Sequence, residues 1–128
     1  MVEINCETDF VARTAEFEAF AKDIAMHVAA SSPRYVSRDQ VTADVIERER
    51  AIYRAQALEA GKPEKILDKI IEGKLEKFYG DFCLMEQHFI KDTDKTITDI
   101  LNDLLAKTGE KVFIRRFARF QVGEELGG

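Results

Sequence analysis

The chain contains 128 residues, of which 45% are hydrophobic and 34% are charged, and its formal net charge is −5. This length and composition suit one compact domain with a hydrophobic core and argue against intrinsic disorder. The acidic balance disfavours a general binder of nucleic acid or of anionic membranes. No apolar run reaches the roughly 18 residues of a membrane-spanning helix, and the first residues lack the features of a secretory leader, so we expect a cytoplasmic protein. Cys6 and Cys83 are far apart and outside any CxxC motif, so we expect two buried thiols rather than a disulfide.

The N-terminal third predicts a strand followed by a helix. Val2, Ile4 and Cys6 alternate with polar residues, which is typical of a half-buried strand. Because this strand begins at residue 1, we expect the chain to be a domain cut from a longer protein. An amphipathic helix is predicted over about residues 14–30, ending before Pro33, and its apolar face consists of Phe17, Phe20, Ile24 and Val28.

Two further helices are predicted in the middle of the chain. Ser37-Arg38-Asp39-Gln40 fits a capping box and predicts a helix that runs to about Ala60. The residues expected to face inward on this helix are Val41, Val45, Ile52 and Leu58. Gly61 closes it and Pro63 opens the next helix, whose apolar stripe consists of Ile66, Leu67, Ile70, Ile71, Leu75 and Phe78.

The C-terminal third begins with a segment of no clear period. Residues 82–90 are interpreted as extended chain and residues 91–94 as a turn. Thr96 and Asp99 then predict a capped helix that ends at Gly109, with a buried face made of Ile97, Ile100, Leu101, Leu104 and Leu105. A last strand is predicted over residues 112–122, with one face formed by Val112, Ile114, Ala118, Phe120 and Val122. The order of elements indicates an α+β fold over residues 1–128, a single domain in which helices pack on a small antiparallel β-sheet.

The sequence contains no pattern typical of an active site. His27 and His88 are the only histidines, and neither shares a metal-binding or catalytic spacing with a cysteine. We interpret the first as a residue on a helix face and the second as a loop residue. Gly-rich phosphate loops are also absent. We therefore expect no catalytic residues, no metal site and no cofactor, which indicates a protein that is not an enzyme.

Phenylalanine and arginine alternate in the last predicted strand, over residues 113–120. Such a pattern can form a nucleic-acid platform, because bases stack on aromatic rings while guanidiniums contact phosphates. It can equally form a two-sided strand on which guanidiniums lie over phenylalanine rings. The acidic net charge favours the second interpretation, so we expect no direct contact with nucleic acid.

The segment Thr8-Asp9-Phe10-Val11, called here the TDFV segment, falls between the first strand and the first helix, where a loop is predicted. In one interpretation Thr8 or Asp9 caps the helix and Phe10 is a hydrophobic staple. In the other, Phe10 is an exposed wedge and Asp9 a polar probe for a partner's pocket. The physical chemistry of the residues favours the capping interpretation and leaves the wedge open.

Residues 5–13 closely resemble the signature of the elongation factor Ts family, and similar blocks follow in the family's order at residues 25–30, 32–37, 59–63, 70–74, 84–92 and 114–120. The resemblance implies the family's α+β core, or dimerisation, domain. It also implies a guanine-nucleotide exchange factor that binds elongation factor Tu, in its GDP-bound or nucleotide-free form, and speeds GDP release in translation elongation. By motif, Asp9 and Phe10 would enter the partner's GTPase domain beside its Mg²⁺ site, while Thr8 and Val11 shape the loop.

Two departures from the family pattern qualify this expectation. The N-terminal helical module of the family is missing from the sequence, and so is the strand expected to pair with residues 2–6. An unpaired strand edge invites pairing with another chain, and family members with a single core dimerise, so we expect a homodimer. The alternative is a purely structural dimerisation domain with no exchange activity of its own.

Overall fold

The computed structural model describes residues 1–126, which form two compact units. The first unit contains residues 1–32 and the chain from residue 88 onward, and the second is Pro33–Gln87. The α+β class is confirmed, whereas a single domain over residues 1–128 stays a prediction. The elements of the first unit are β1 (Val2–Asn5), α1 (Asp9–Ala12), α2 (Ala15–Ser31), β2 (His88–Phe89), β3 (Asp92–Thr96), α5 (Ile97–Thr108) and β4 (Phe113–Phe117). Those of the second are α3 (Ala43–Glu59) and α4 (Glu64–Phe82), with short 3₁₀ turns at Arg38–Gln40 and Leu84–Glu86.

Strand β1 pairs with β4 in an antiparallel sheet of two strands, and the expectation that a further strand beside β1 is missing from the sequence stays a prediction. Val2 lies opposite Phe117, and a bulge follows Glu3. Strand β4 is shorter than the strand predicted over residues 112–122. Its last backbone contact with the N-terminal strand is the Ala118 N–H, which donates to the Met1 carbonyl at 2.8 Å. The residues directly after Ala118 are not part of a strand. Phe120 is exposed instead of buried.

Helix α2 confirms the prediction for residues 14–30. Thr14 caps it by accepting a hydrogen bond from the Phe17 N–H at 3.2 Å, and Ser32 ends it in the left-handed region at φ 50°. His27 on this helix is fully buried, and its Nδ1 accepts a hydrogen bond from the Ile90 N–H at 3.3 Å. This histidine is therefore a core residue.

Helix α5 was also predicted correctly. Thr96 Oγ1 accepts from the Asp99 N–H at 3.2 Å, and Asp99 Oδ2 accepts from the Thr96 N–H at 2.9 Å, which completes the capping box. Gly109 ends the helix in the left-handed region. The side chains of Ile97, Leu101 and Leu104 are buried.

Strands β2 and β3 form a hairpin that the sequence did not predict. The expected turn at residues 91–94 was wrong, because the turn lies at residues 90 and 91 and Asp92 already belongs to β3. Strand β3 consists of polar residues that are mostly exposed. Its sequence therefore lacks the apolar alternation that marks a half-buried strand. His88 lies in β2, not in a loop, and its Nδ1 is 3.0 Å from the Thr93 carbonyl oxygen.

In the second unit, α3 begins at Ala43, so the capping box at Ser37 was wrong. Gln40 Oε1 accepts a hydrogen bond from the Val36 N–H at 2.8 Å and does not reach back to the N–H of Ser37 as a capping box requires. Val41 is buried with an extended backbone, and this interrupts helix formation after the 3₁₀ turn.

The buried faces of α3 and α4 agree only partly with the prediction. On α4 the side chains of Leu67, Ile71, Leu75 and Phe78 are buried, while Ile66 is exposed. On α3, Ala57 is buried, whereas Ile52 and Leu58 are exposed. The expected inward positions of these last two residues were therefore wrong, because small Ala57 occupies the buried side near the end of the helix.

Candidate functional site

The TDFV segment is a single helical turn and not the loop predicted there. Thr8 has an extended backbone (φ −133°, ψ 153°) and caps α1, because its Oγ1 accepts a hydrogen bond from the Val11 N–H at 3.4 Å. Asp9 is exposed in the first turn of α1. The capping role considered for Thr8 is therefore present in the structure.

Phe10 and Val11 are adjacent on this turn but differ sharply in exposure. The side chain of Val11 is 4% exposed, whereas that of Phe10 is 82% exposed. The staple interpretation of Phe10 was therefore wrong, since a staple residue packs against its own helix. Thr14 Oγ1 donates to the Val11 carbonyl at 2.7 Å, which ties the turn to the cap of α2. Buried Val11 thus anchors the turn on which the ring of Phe10 is exposed to solvent.

Glu110, which follows α5, binds Thr8 at the start of the TDFV segment. Its Oε1 accepts from the Thr8 N–H at 3.0 Å and its Oε2 accepts from the Thr8 hydroxyl at 2.5 Å. The Thr8 carbonyl accepts from Cys6 Sγ at 3.2 Å. Sequence reasoning missed Glu110, because the two residues are 102 positions apart and carry no shared local motif. The one available signal is an acidic residue directly after the helix-ending Gly109.

A hollow of about 380 Å³ lies beside the exposed ring. Its walls come from α1, the start of α2 and the end of α5, and the residues that line it are Phe10, Val11, Thr14, Glu16, Lys107 and Thr108. Both charges and apolar atoms therefore border the ring, as at the edge of a protein–protein contact.

Within residues 1–126, no group of three or more His, Cys, Asp or Glu side chains is placed to hold a metal ion. No helix in the same range has the length and apolar character needed to cross a membrane. Cys6 and Cys83 are free thiols, as predicted, although only Cys83 is fully buried. Burial raises the pKa of the Cys83 thiol to about 11, which keeps it in the poorly nucleophilic neutral form.

The arginines of β4 contact a carboxylate rather than phenylalanine rings. Arg115 Nη1 lies 3.0 Å from Glu3 Oε2, and Arg116 Nε lies 2.9 Å from Glu3 Oε1. Hydrogen bonds from Arg115 and then Arg116 lower the pKa of Glu3. Arg119 Nε donates to the Ala29 carbonyl at 3.1 Å. Arg115 and Arg116 thus link β4 to β1, while Arg119, which follows β4, contacts α2.

The family model described as elongation factor TS matches residues 16–124 of the chain. The chain belongs to the elongation factor Ts family. It is 64% identical over 126 residues to an elongation factor Ts of Syntrophus aciditrophicus (strain SB) and 60% identical over 126 residues to one of Geobacter metallireducens. It is 55% identical over the same length to one of Caldanaerobacter subterraneus. Each match covers 98% of the chain but only 58% to 63% of the relative, so the chain spans about three fifths of these proteins.

The TDFV segment precedes the part matched by the elongation factor Ts family model, which begins at residue 16. The matches to elongation factor Ts relatives, at 98% of the chain, extend further and include this segment. The roles assigned to Thr8, Asp9, Phe10 and Val11 stay predictions.

Proposed function

We propose that the chain is a guanine-nucleotide exchange factor for elongation factor Tu in translation elongation, acting in the cytoplasm without catalysing a covalent step. It promotes GDP release by inserting the TDFV segment near the Mg²⁺ and nucleotide site of its partner, which it meets GDP-bound or nucleotide-free. The observation that carries this proposal is the exposed ring of Phe10, presented on a turn that buried Val11 and the contact between Thr8 and Glu110 fix from both sides.

The rigidity of the turn is what makes the exposed ring informative. Single exposed apolar residues are common on protein surfaces and need no functional explanation. An aromatic ring held on a fixed turn, however, loses little conformational entropy when it enters a pocket, so more of its contact energy remains for binding. Phe10 also has the side-chain type that dominates binding at the centre of many interfaces.

Exchange needs no catalytic group on this chain. A GTPase holds GDP through phosphate contacts and a bridging Mg²⁺, and a side chain that displaces the elements around that ion weakens the hold on the nucleotide. By linkage, bound nucleotide weakens the binding of the exchange factor by the same factor. In this proposal Asp9, an exposed carboxylate next to Phe10 in the chain, competes for polar groups near the ion.

A purely structural dimerisation domain is the alternative, and the cap formed by Thr8 on α1 favours it. In that case the TDFV segment serves only its own helix. We propose a homodimer in either case, because single-core members of this family pair. Light scattering across a concentration series tests the dimer, and a monomer mass at the highest concentration refutes it.

Stopped-flow release of fluorescent GDP from elongation factor Tu tests the exchange proposal. The chain should accelerate release in a concentration-dependent way, and Phe10→Ala and Asp9→Ala should each reduce that acceleration about tenfold or more, as expected for a residue at the centre of an interface. Phe120→Ala is the matched control, because this phenylalanine is 86% exposed in the same unit. Its rate should equal that of the parent chain.

Two results would reject the exchange mechanism. If the parent chain leaves GDP release unchanged at high concentration, the structural alternative is favoured. If release is accelerated but Phe10→Ala behaves like Phe120→Ala, the exposed ring is not the part that acts on the partner.

A further inference from the structure

The carboxylate of Glu110 bridges two segments that are 102 positions apart, and we infer that it is a positioning residue for Phe10. It does not touch the partner in this proposal. It fixes Thr8, and Thr8 sets the direction in which the next turn presents the aromatic ring. The inference rests on the proposed function, since the ring it positions is the proposed wedge.

Thr8 is a suitable point of control because every polar group it carries is engaged. Its N–H and hydroxyl both donate to Glu110, and its carbonyl accepts from Cys6 Sγ at 3.2 Å and from the Ala12 N–H at 3.3 Å. Its hydroxyl also accepts from Val11 at the base of the turn. A residue fastened at both ends of its peptide unit has little freedom in φ and ψ, so the path of the chain into α1 is set there.

Glu110 is itself held on a fixed part of the backbone. Gly109, directly before it, ends α5 in the left-handed region at φ 70°, and its N–H donates to the Leu105 carbonyl at 2.9 Å. The Glu110 N–H donates to Thr108 Oγ1 at 3.4 Å, and Val112, two residues later, is buried. The carboxylate is therefore attached to α5 and β4 rather than to a loose loop.

The contact is placed to affect geometry more than stability. The N–H of Val11 is capped by the Thr8 hydroxyl, so α1 keeps its cap without Glu110. Charge-assisted contacts at the surface add little to the free energy of folding, because solvent screens the charge and the unfolded chain is well hydrated. Loss of the carboxylate should therefore leave the protein folded but free the turn that carries Phe10.

Glu110→Gln and Glu110→Ala separate these roles. The amide of glutamine can accept from the Thr8 N–H and donate to its hydroxyl, so E110Q should retain the bridge, whereas E110A removes it. Hydrogen exchange of the free chain should show about tenfold faster exchange of the Thr8 amide in E110A and near-parent exchange in E110Q. Asp103→Ala is the control, since it removes a carboxylate of the same unit that pairs with Lys95.

A double-mutant cycle with Phe10→Ala then measures whether Glu110 acts through the ring. E110A alone should slow stimulated GDP release about tenfold, which is less than the roughly hundredfold cost that misplacing a reacting group by about 1 Å can have, with E110Q and D103A close to the parent. In the Phe10→Ala background E110A should have no further effect.

The possible results distinguish this inference from the proposed function. If Phe10→Ala slows release but E110A does not, or if E110A slows both backgrounds by the same factor, Glu110 does not position the ring. An unprotected Thr8 amide in the parent chain overturns the inference as well. If Phe10→Ala has no effect on release, the proposed function fails, and the positioning role fails with it.

Discussion

Truncating Val11 to alanine should destabilise the protein, whereas truncating its neighbour Phe10 should not. Val11 is 4% exposed and Phe10 is 82% exposed, although they are adjacent on one helical turn. Val11→Ala removes two buried methyl groups, each worth about 0.8 kcal/mol of transfer free energy. With a cavity contribution, the loss is roughly 2 kcal/mol. Phe10→Ala removes a ring that is already in solvent, so the free energy of unfolding should change by less than about 0.5 kcal/mol.

Urea unfolding followed by circular dichroism measures both variants. The midpoint for Val11→Ala should fall at an unchanged slope, and its Tm should fall by roughly 8 °C, given about 4 °C per kcal/mol for a domain near this size. Phe10→Ala should overlay the parent curve. Any loss of GDP release in that variant then reports the missing ring and not a partly unfolded protein.

A different outcome would refute this description of the turn. If Phe10→Ala lowers the free energy of unfolding by more than about 1 kcal/mol, the ring packs against the folded chain, because exposed positions do not have such costs. If Val11→Ala is neutral, the anchor assigned to Val11 is wrong and the orientation of α1 must have another cause.

Three further predictions concern the thiols, the sheet and the α5 cap. At pH 8 an alkylating reagent followed by mass spectrometry should modify Cys6 well before Cys83, whose pKa burial raises to about 11; equal rates would contradict the burial. Hydrogen bonds from Arg115 and Arg116 lower the pKa of Glu3 below its ordinary value of 4.5. These contacts therefore stabilise the folded protein above pH 4.5, and that stabilisation is lost as the pH falls through the pKa of Glu3 in the folded state. Glu3→Gln should therefore lower the Tm at neutral pH and not at about pH 2, and a deficit that persists in acid would rule out the ion pair as its cause. Thr96→Ala should cost about 1 kcal/mol in urea unfolding by removing the cap of α5, and a neutral result would show that the capping box adds nothing.

Elements whose signals are local could be predicted from the sequence. The start and end of α5 depend on Thr96, Asp99 and Gly109, which lie within one short stretch and act on adjacent backbone groups. Thr14 gives α2 a similar local start. In each case the residues that define the helix are its own, so no distant part of the chain had to be known.

Elements that depend on distant or competing contacts could not be predicted in this way. The partner of β1 comes from the other end of the chain, and β3 is too polar to show a strand pattern. The apparent capping box at Ser37 failed because Gln40 binds the N–H of Val36 and Val41 is buried with an extended backbone. A local motif does not show which of two hydrogen-bond partners its side chain will take.

The candidate site lies between these two cases. The motif drew attention to Thr8, Asp9, Phe10 and Val11, but it does not show whether Phe10 is buried or exposed. The difference in exposure between Phe10 and Val11 depends on how the single turn of α1 packs against the rest of the first unit. The bridge from Glu110 has no signal near the TDFV segment, because Glu110 and Thr8 are 102 positions apart.

The pairing of β1 with β4 also bears on how the protein is made. On the ribosome, Val2 emerges long before Phe117, its partner in the sheet. Strand β1 therefore cannot pair until the residues of β4 have been synthesised. Pro33–Gln87 contains only contacts closer along the chain, and α3 and α4 pack against each other as neighbours. We therefore expect the amides of the second unit to become protected from hydrogen exchange before those of the first unit during synthesis. Pulsed hydrogen exchange on stalled nascent chains would reveal that order, and early protection of Val2 would contradict it.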